Sequence, residues 1–344
     1  HSIASRKRTK LVQRRPTDST ETDVKPPGVI DTIGLAFAAL SYRPYLIVIP
    51  VLLDLYLWIG VRLSARPLAD LVEQRLLSGQ PNNPAALESV RAFGQQFDLF
   101  SLFTLTTPTL ITDTTQVASI GGPNPSITGL AWWMIPLLMF VLALVGIGIG
   151  MLYLTLIGYL VRGERLSISG LVPRTLRNVL RMYGFILVVL GIILLVALPV
   201  LIGGGIVSQS IGVNLMPMLA MLLTLAAIWG VFVLFFAQDA IVVSEAAPAQ
   251  AIRLSYRVVR KNFWPALVFV GAYVLIRTGM PVALQVLTGA WWGVPLAVIV
   301  NAYIATGLVA AGMIFYRDRV QRLPAASTPQ HQAAGTTERS DTHG

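Results

Sequence analysis

The chain has 344 residues, of which 55% are hydrophobic and only 12% charged, with a mean hydropathy of +0.69. That is too apolar for a soluble domain of this length and implies a polytopic membrane protein. Cysteine is absent and histidine occurs only at His1, His331 and His343, in the two tails, which excludes disulfides, thiolate chemistry and any histidine ligand or base inside the membrane body. The net charge of +10 does not point to nucleic acid, because the basic residues cluster beside apolar spans, where they set orientation and meet anionic lipid.

Residues 1–27 carry Arg6, Lys7, Arg8, Lys10, Arg14 and Arg15 among polar residues and end on Pro26-Pro27. With too little apolar surface to fold alone, this stretch is predicted to be a disordered basic tail gripping anionic headgroups. His1 in place of Met is what an incomplete or processed start would give, and the basic stretch before the first apolar run is not a signal peptide. From Gly28 to Arg43, Ile30, Ile33, Phe37 and Leu40 form one helical stripe, predicting an amphipathic surface helix that bends into a first span over about 45–61. Asp54 lies within that span. Residues 62–129 are far more polar and interrupted by Pro81, Pro108, Pro123 and Pro125, so they are predicted to be an extramembrane insertion with short helices over 68–77 and 85–103. Its apolar Leu99, Phe100, Leu102 and Phe103 suit either a cap over the outer mouth or a docking surface for an outside partner.

The second span covers about 132–161, and Gly146 and Gly150 within it make a small-xxx-small step suited to close helix packing. A second surface helix follows over 169–184, with Val172, Leu176, Val179 and Tyr183 on one face and Arg174, Arg177 and Arg181 on another. Spans three and four cover about 185–206 and 216–236. Asp239 near the end of the fourth is expected to mark the interface or pair with a basic residue such as Arg257. The clearest surface helix spans 244–265: Ile252, Tyr256, Val259 and Phe263 share a face, while Arg253, Arg257, Arg260 and Lys261 line another. The charges then stop at Asn262-Phe263-Trp264-Pro265, and spans five and six follow over about 264–286 and 291–316. Residues 324–344 form a second polar tail.

Two landmarks recur. Ala131-Trp132-Trp133-Met134-Ile135-Pro136-Leu137 opens the second span and Ala290-Trp291-Trp292-Gly293-Val294-Pro295-Leu296 the sixth, with Pro217 in the matching place of the fourth. Independently, an offset of 80 pairs Val172 with Ile252, Leu176 with Tyr256, Arg177 with Arg257 and Tyr183 with Phe263. The predicted fold class is therefore all-α: six transmembrane helices as three parallel repeats, each an interfacial amphipathic helix followed by a transmembrane hairpin, with the insertion in the first. The basic residues place both termini and the surface helices in the cytoplasm and residues 62–129 outside, in a bacterial cytoplasmic membrane.

The stretch Asp239 to Pro265 resembles a signature of bacterial six-span proteins related to the membrane domain of glycerophosphodiester phosphodiesterases. The matching positions are Asp239, Ala251, Ser255, Arg260, Phe263 and Trp264. The resemblance implies the six-span layout and carries over no catalytic residue, since the phosphodiesterase barrel is a soluble domain for which this chain has no room.

Asp54 and Arg277 are ionisable residues inside predicted spans, where burial is expensive and function is the default hypothesis. They form a candidate intramembrane polar site with Asn301, either as a pair or with Arg277 reaching the outer headgroups and Asp54 bonding polar neighbours. Trp132, Trp133, Trp291 and Trp292 fit an aromatic belt. Arg174, Arg177, Arg181, Arg253, Arg257, Arg260 and Lys261 face anionic lipid headgroups. Neither a metal-binding nor a nucleotide-binding motif occurs, so no cofactor is expected. The leading expectation is a non-enzymatic membrane protein with a scaffolding, assembly or lipid-associated role, partnered by the bilayer and by a membrane or extracytoplasmic protein; the alternative is a transporter or channel for a small solute.

Overall fold

A computed structural model describes residues 27–79, 84–111, 126–127, 129–289 and 292–322. The two tails, residues 112–125 of the insertion and Trp291 lie outside them. In chain order the α-helices are α1 (Val29–Ser41), α2 (Val48–Ile59), α3 (Arg66–Gly79), α4 (Pro84–Gln96), α5 (Met134–Arg162) and α6 (Ile168–Ile211). They continue with α7 (Met216–Leu234), α8 (Ala237–Val243), α9 (Pro248–Lys261), α10 (Phe263–Leu284) and α11 (Gly293–Val320). Five of these segments are long and apolar enough to cross a membrane, and a sixth is added if α1 and residues 44–59 count as one broken span. The protein is an all-α, multi-pass membrane protein.

Three of the long helices open on a proline turn. α5, α7 and α11 each carry their proline, Pro136, Pro217 and Pro295, in the first turn, where no helical partner for the missing N–H is lost. The two tryptophan starts also share one backbone shape, with φ −71° and ψ −21° at Trp133 and φ −73° and ψ −21° at Trp292. Trp132, Trp133 and Trp292 are exposed. These starts define the tryptophan end of the bundle; the arginine-rich helix ends define the other.

α11 is the central helix. It is buried along nearly its whole length and touches α1, α2, α5, α8, α9 and α10. Near the arginine end a core of rings forms around it, with Phe315 stacked on Phe236 and Phe269 at centroid distances of 5.2 and 4.5 Å. The outer faces tell the opposite story. Along the α6–α7 hairpin Leu187, Leu195, Met221 and Val231 are all at least two-thirds exposed, which water would not tolerate over so large a surface but acyl chains accept.

The three surface helices depart from one common plan. α1 does not lie on the membrane surface: it packs along α11, with Phe37 against Tyr303 at 5.6 Å, Ser41 Oγ 3.1 Å from the Tyr303 hydroxyl, and the Phe37 ring over Gly307. Its buried positions are Thr32, Ala36 and Leu40, whereas Ile30 is exposed. The chain then bends by 99° before residues 44–59. The second surface helix does not end at Gly184 but continues as α6 for 44 residues. At about 1.5 Å per residue it is ~66 Å long, more than a bilayer with its headgroups spans, so its first turns project beyond the hydrocarbon. The third, α9, is separated from α10 by Asn262 alone.

The inward stripe of α9 is Ala251, Ser255, Val258 and Val259, while Tyr256 is exposed. At the same 80-residue offset α6 turns in Asn178 and leaves Val172 and Leu176 exposed. Both copies are thus rotated from the stripes expected of them, and small or polar residues face the bundle. Arg177, Arg253, Arg257, Arg260 and Lys261 remain exposed. Arg174 and Arg181 instead turn toward carboxylates: Arg174 pairs with Glu164 and, at 3.5 Å, with Glu245, and Arg181 approaches Glu245 at 3.9 Å. Arg162 pairs with Glu164 at 3.1 Å. These bonds tie the end of α5 to α6 and to the α8–α9 link.

The hydrogen bond from Arg174, with Arg162 alongside, holds Glu164 below the usual carboxylate range. A carboxylate with a lowered folded-state pKa stabilises above its unfolded value, and that contribution is lost as pH falls through the lowered one. Thermal stability in detergent should therefore fall below about pH 4.5, and Glu164→Gln should lower stability at pH 7 while flattening this acid dependence; an unchanged acid limb in the variant would show that the pair does not contribute.

Candidate functional site

The insertion starts outside the bundle, and its residues 99–111 run into it. Arg62–Leu63 pairs in parallel with Ser126–Ile127, and α3 and α4 form a hairpin bridged by Arg91 Nε to Glu73 Oε1 at 2.9 Å. Asp98 then turns the chain, accepting the N–H groups of Leu63 at 3.0 Å and Phe100 at 3.1 Å and capping a 3-10 turn over Leu99–Thr104. Burial pushes this carboxyl above its usual range, opposed by those two N–H groups and by nearby Arg62. From there residues 99–111 do not cover the bundle as a cap. They enter it.

Their path is cut by two glycines of α5. A side chain at Gly146 would strike the backbone at Leu102 and Phe103, and one at Gly150 would strike Thr106. The small-xxx-small step thus accommodates a re-entrant segment rather than another helix. At about 1.5 Å per residue Gly150 stands ~24 Å along α5 from Met134, so the segment reaches well past the tryptophan end. Thr107, Pro108, Thr109, Leu110 and Ile111 are all buried.

Irregular backbone at membrane depth must find partners for its polar groups. Asp54 and Arg277 supply them. The Asp54 carboxylate, fully buried on α2, accepts Leu110 N–H at 2.9 Å through both oxygens and Ile111 N–H at 3.0 Å. Arg277 on α10 donates from both terminal nitrogens to the Thr109 carbonyl at 3.2 Å. The two residues form no ion pair and Arg277 does not reach the outer surface; the anion takes the N–H groups and the cation the C=O of one short segment between them. Leu110 and Ile111 then pack with Leu57, Leu284, Val294 and Val298.

Below the tip of this segment lies a cavity of about 290 Å³. Leu105, Thr106, Thr107 and Pro108 form one wall, Arg277 and Tyr273 of α10 another, and Gln238 and Asp239 of α8 a third; Leu154, Phe235, Val309 and Gly312 complete the lining. Asp239 therefore neither marks the interface nor pairs with Arg257. It is 92% buried, makes no hydrogen bond to any described residue, and lies beside Gly312, where a Cβ would stand in ordinary contact with Oδ2 at 3.4 Å. The Thr106 and Thr107 hydroxyls are sealed within the protein, without a hydrogen-bond partner among the described residues.

Asn301 lies outside this lining; it is buried in α11 with Nδ2 unpartnered. Its neighbours on the helix bond across the bundle, Thr306 accepting the Tyr153 hydroxyl at 3.0 Å. Thus of the three residues expected at an intramembrane site only Arg277 faces the cavity. Asp239, Gln238, Tyr273 and the two threonines are the members that sequence reasoning missed. The signal for Asp239 was its setting, Phe235-Phe236-Ala237-Gln238 before it and Ala240-Ile241-Val242-Val243 after it, since a carboxylate within a stretch that is apolar save for one glutamine is more naturally buried than interfacial. Among the described residues no group of three or more acidic, histidine or cysteine side chains is placed to hold a metal. No protein-family model, curated protein or solved structure matches the chain.

Removing the Asp54 carboxylate leaves two buried N–H groups unpaired, each worth about 1–3 kcal/mol. Asp54→Ala should lower thermal stability in detergent markedly and Asp54→Asn, which keeps one acceptor, by less; equal melting of both variants and the parent would refute the clamp. Gly150→Leu should have a similar effect by expelling Thr106, with the 99–111 segment becoming open to proteolysis.

Proposed function

We propose that the protein binds a small polar solute inside its helix bundle and carries it across the membrane, with residues 99–111 closing the path from the tryptophan end. The observation that carries this reading is the cavity itself, where the Asp239 carboxyl group, without a hydrogen-bond partner among the described residues, and the Arg277 guanidinium, only partly used by Thr109, line one space with apolar Leu154, Phe235 and Val309. Unpaired polar groups are costly in such surroundings and are retained where a ligand satisfies them. Its volume is at the lower edge of metabolite sites. Arg277 couples the solute to the closing segment, because one guanidinium lines the cavity and holds the Thr109 carbonyl. The exposed arginines and the resemblance to six-span bacterial proteins support a cytoplasmic-membrane location with the arginine end inside.

A scaffolding or assembly role is the second reading, favoured by the α6–α7 hairpin, whose outer faces stay free for lipid or another membrane protein. Uptake separates the two. Full-length protein in proteoliposomes, offered labelled small amino acids, polyols and inorganic cations in turn, should accumulate one class, and Asp239→Asn should reduce that uptake roughly tenfold or more. Uptake of no class, or equal uptake by the variant, would contradict transport.

A further inference from the structure

The charges around the cavity restrict what it can hold. Asp239 and Arg277 line the same small space, yet they stand more than 4.0 Å apart and form no ion pair. Groups of opposite type that share one cavity without meeting leave room between them for a ligand that meets both. Arg277 is restrained by Thr109, which takes one N–H from each terminal nitrogen and leaves its remaining donors free. Asp239 is fixed on α8, a short helix buried within the bundle. The lining thus presents a carboxyl group on one wall and a donor-only cation on another, together with the Gln238 and Tyr273 side chains.

A lone cation would satisfy Asp239 and be repelled by Arg277; a lone anion would meet the reverse. A ligand with both charges satisfies both and leaves the site neutral. Resting on the solute-binding reading above, we infer that the cavity binds a small zwitterion, its ammonium group on Asp239 and its acid group on Arg277, with the Gln238 and Tyr273 side chains closing the remaining bonds. Apolar Leu154, Phe235 and Val309 then face the ligand's carbon skeleton.

The test uses full-length protein in detergent and three matched probes: L-alanine and glycine betaine as zwitterions, alanine methyl ester with the ammonium alone, and N-acetylalanine with the carboxylate alone. A zwitterion should bind, the ester and the N-acetyl form should bind roughly tenfold more weakly or worse, and Asp239→Asn should remove the preference. Should Asp239→Asn fail to fold, Gln238→Leu serves instead. Its side chain lines the cavity and makes no hydrogen bond to a described residue, so melting should hold while zwitterion affinity falls about fivefold through the lost polar contact. Binding of the ester or of the N-acetyl form as tight as that of the zwitterions overturns the zwitterion assignment and leaves a solute site standing. Failure of all the probes to bind overturns the zwitterion assignment, while the solute reading then stands or falls on the uptake of polyols and inorganic cations.

Discussion

The bonds from Leu110 and Ile111 N–H to the Asp54 carboxylate are what the centre of this molecule depends on. Peptide groups cannot lie unpaired among apolar helices, where each costs several kcal/mol. A segment with neither helix nor sheet to pair it therefore needs side chains that act as its partners. Asp54 and Arg277 take the donors and the acceptor of three consecutive residues, and each charge is in turn stabilised by the peptide dipoles it meets. The surrounding geometry follows from this requirement. α2 must bring its carboxylate to Leu110, which fits the sharp bend that separates it from α1, and α5 must be bare at Gly146 and Gly150 to let the segment pass.

That arrangement also explains why charges survive in the bundle. Arg277 holds Thr109 in place and also lines the space beyond it, together with Asp239, which makes no hydrogen bond to a described residue. The first duty is structural; the second faces the cavity.

The amino-acid sequence makes the membrane class and the helix starts plain, because long apolar runs, first-turn prolines and paired tryptophans are local features. The two copies of the tryptophan start even share backbone angles. Partners are not local. Periodicity showed that residues 29–41 form a helix with one apolar face, but it could not tell whether lipid or α11 covers that face. The same limit applies to Val172 and Leu176, which point away from the protein, while Arg174 and Arg181 find glutamates distant in sequence. The stretch Phe103 to Ile111 mixes apolar residues with threonines and a proline, a composition that reads as a surface loop. Only the placement of Asp54 and Arg277, noticed as anomalies but taken for a pair or for separate polar contacts, hinted that something polar had to lie between their helices.

The central claim is that residues 107–111 are enclosed by the bundle, and the absence of native cysteine makes it directly measurable. Single cysteines at Thr107 and Thr109, with Ser78 on the exposed face of α3 as the reference, can be labelled by a charged maleimide in detergent. The account predicts rapid labelling at position 78 and labelling at 107 and 109 only after denaturation. Labelling of all three at the same rate in the folded protein would contradict it.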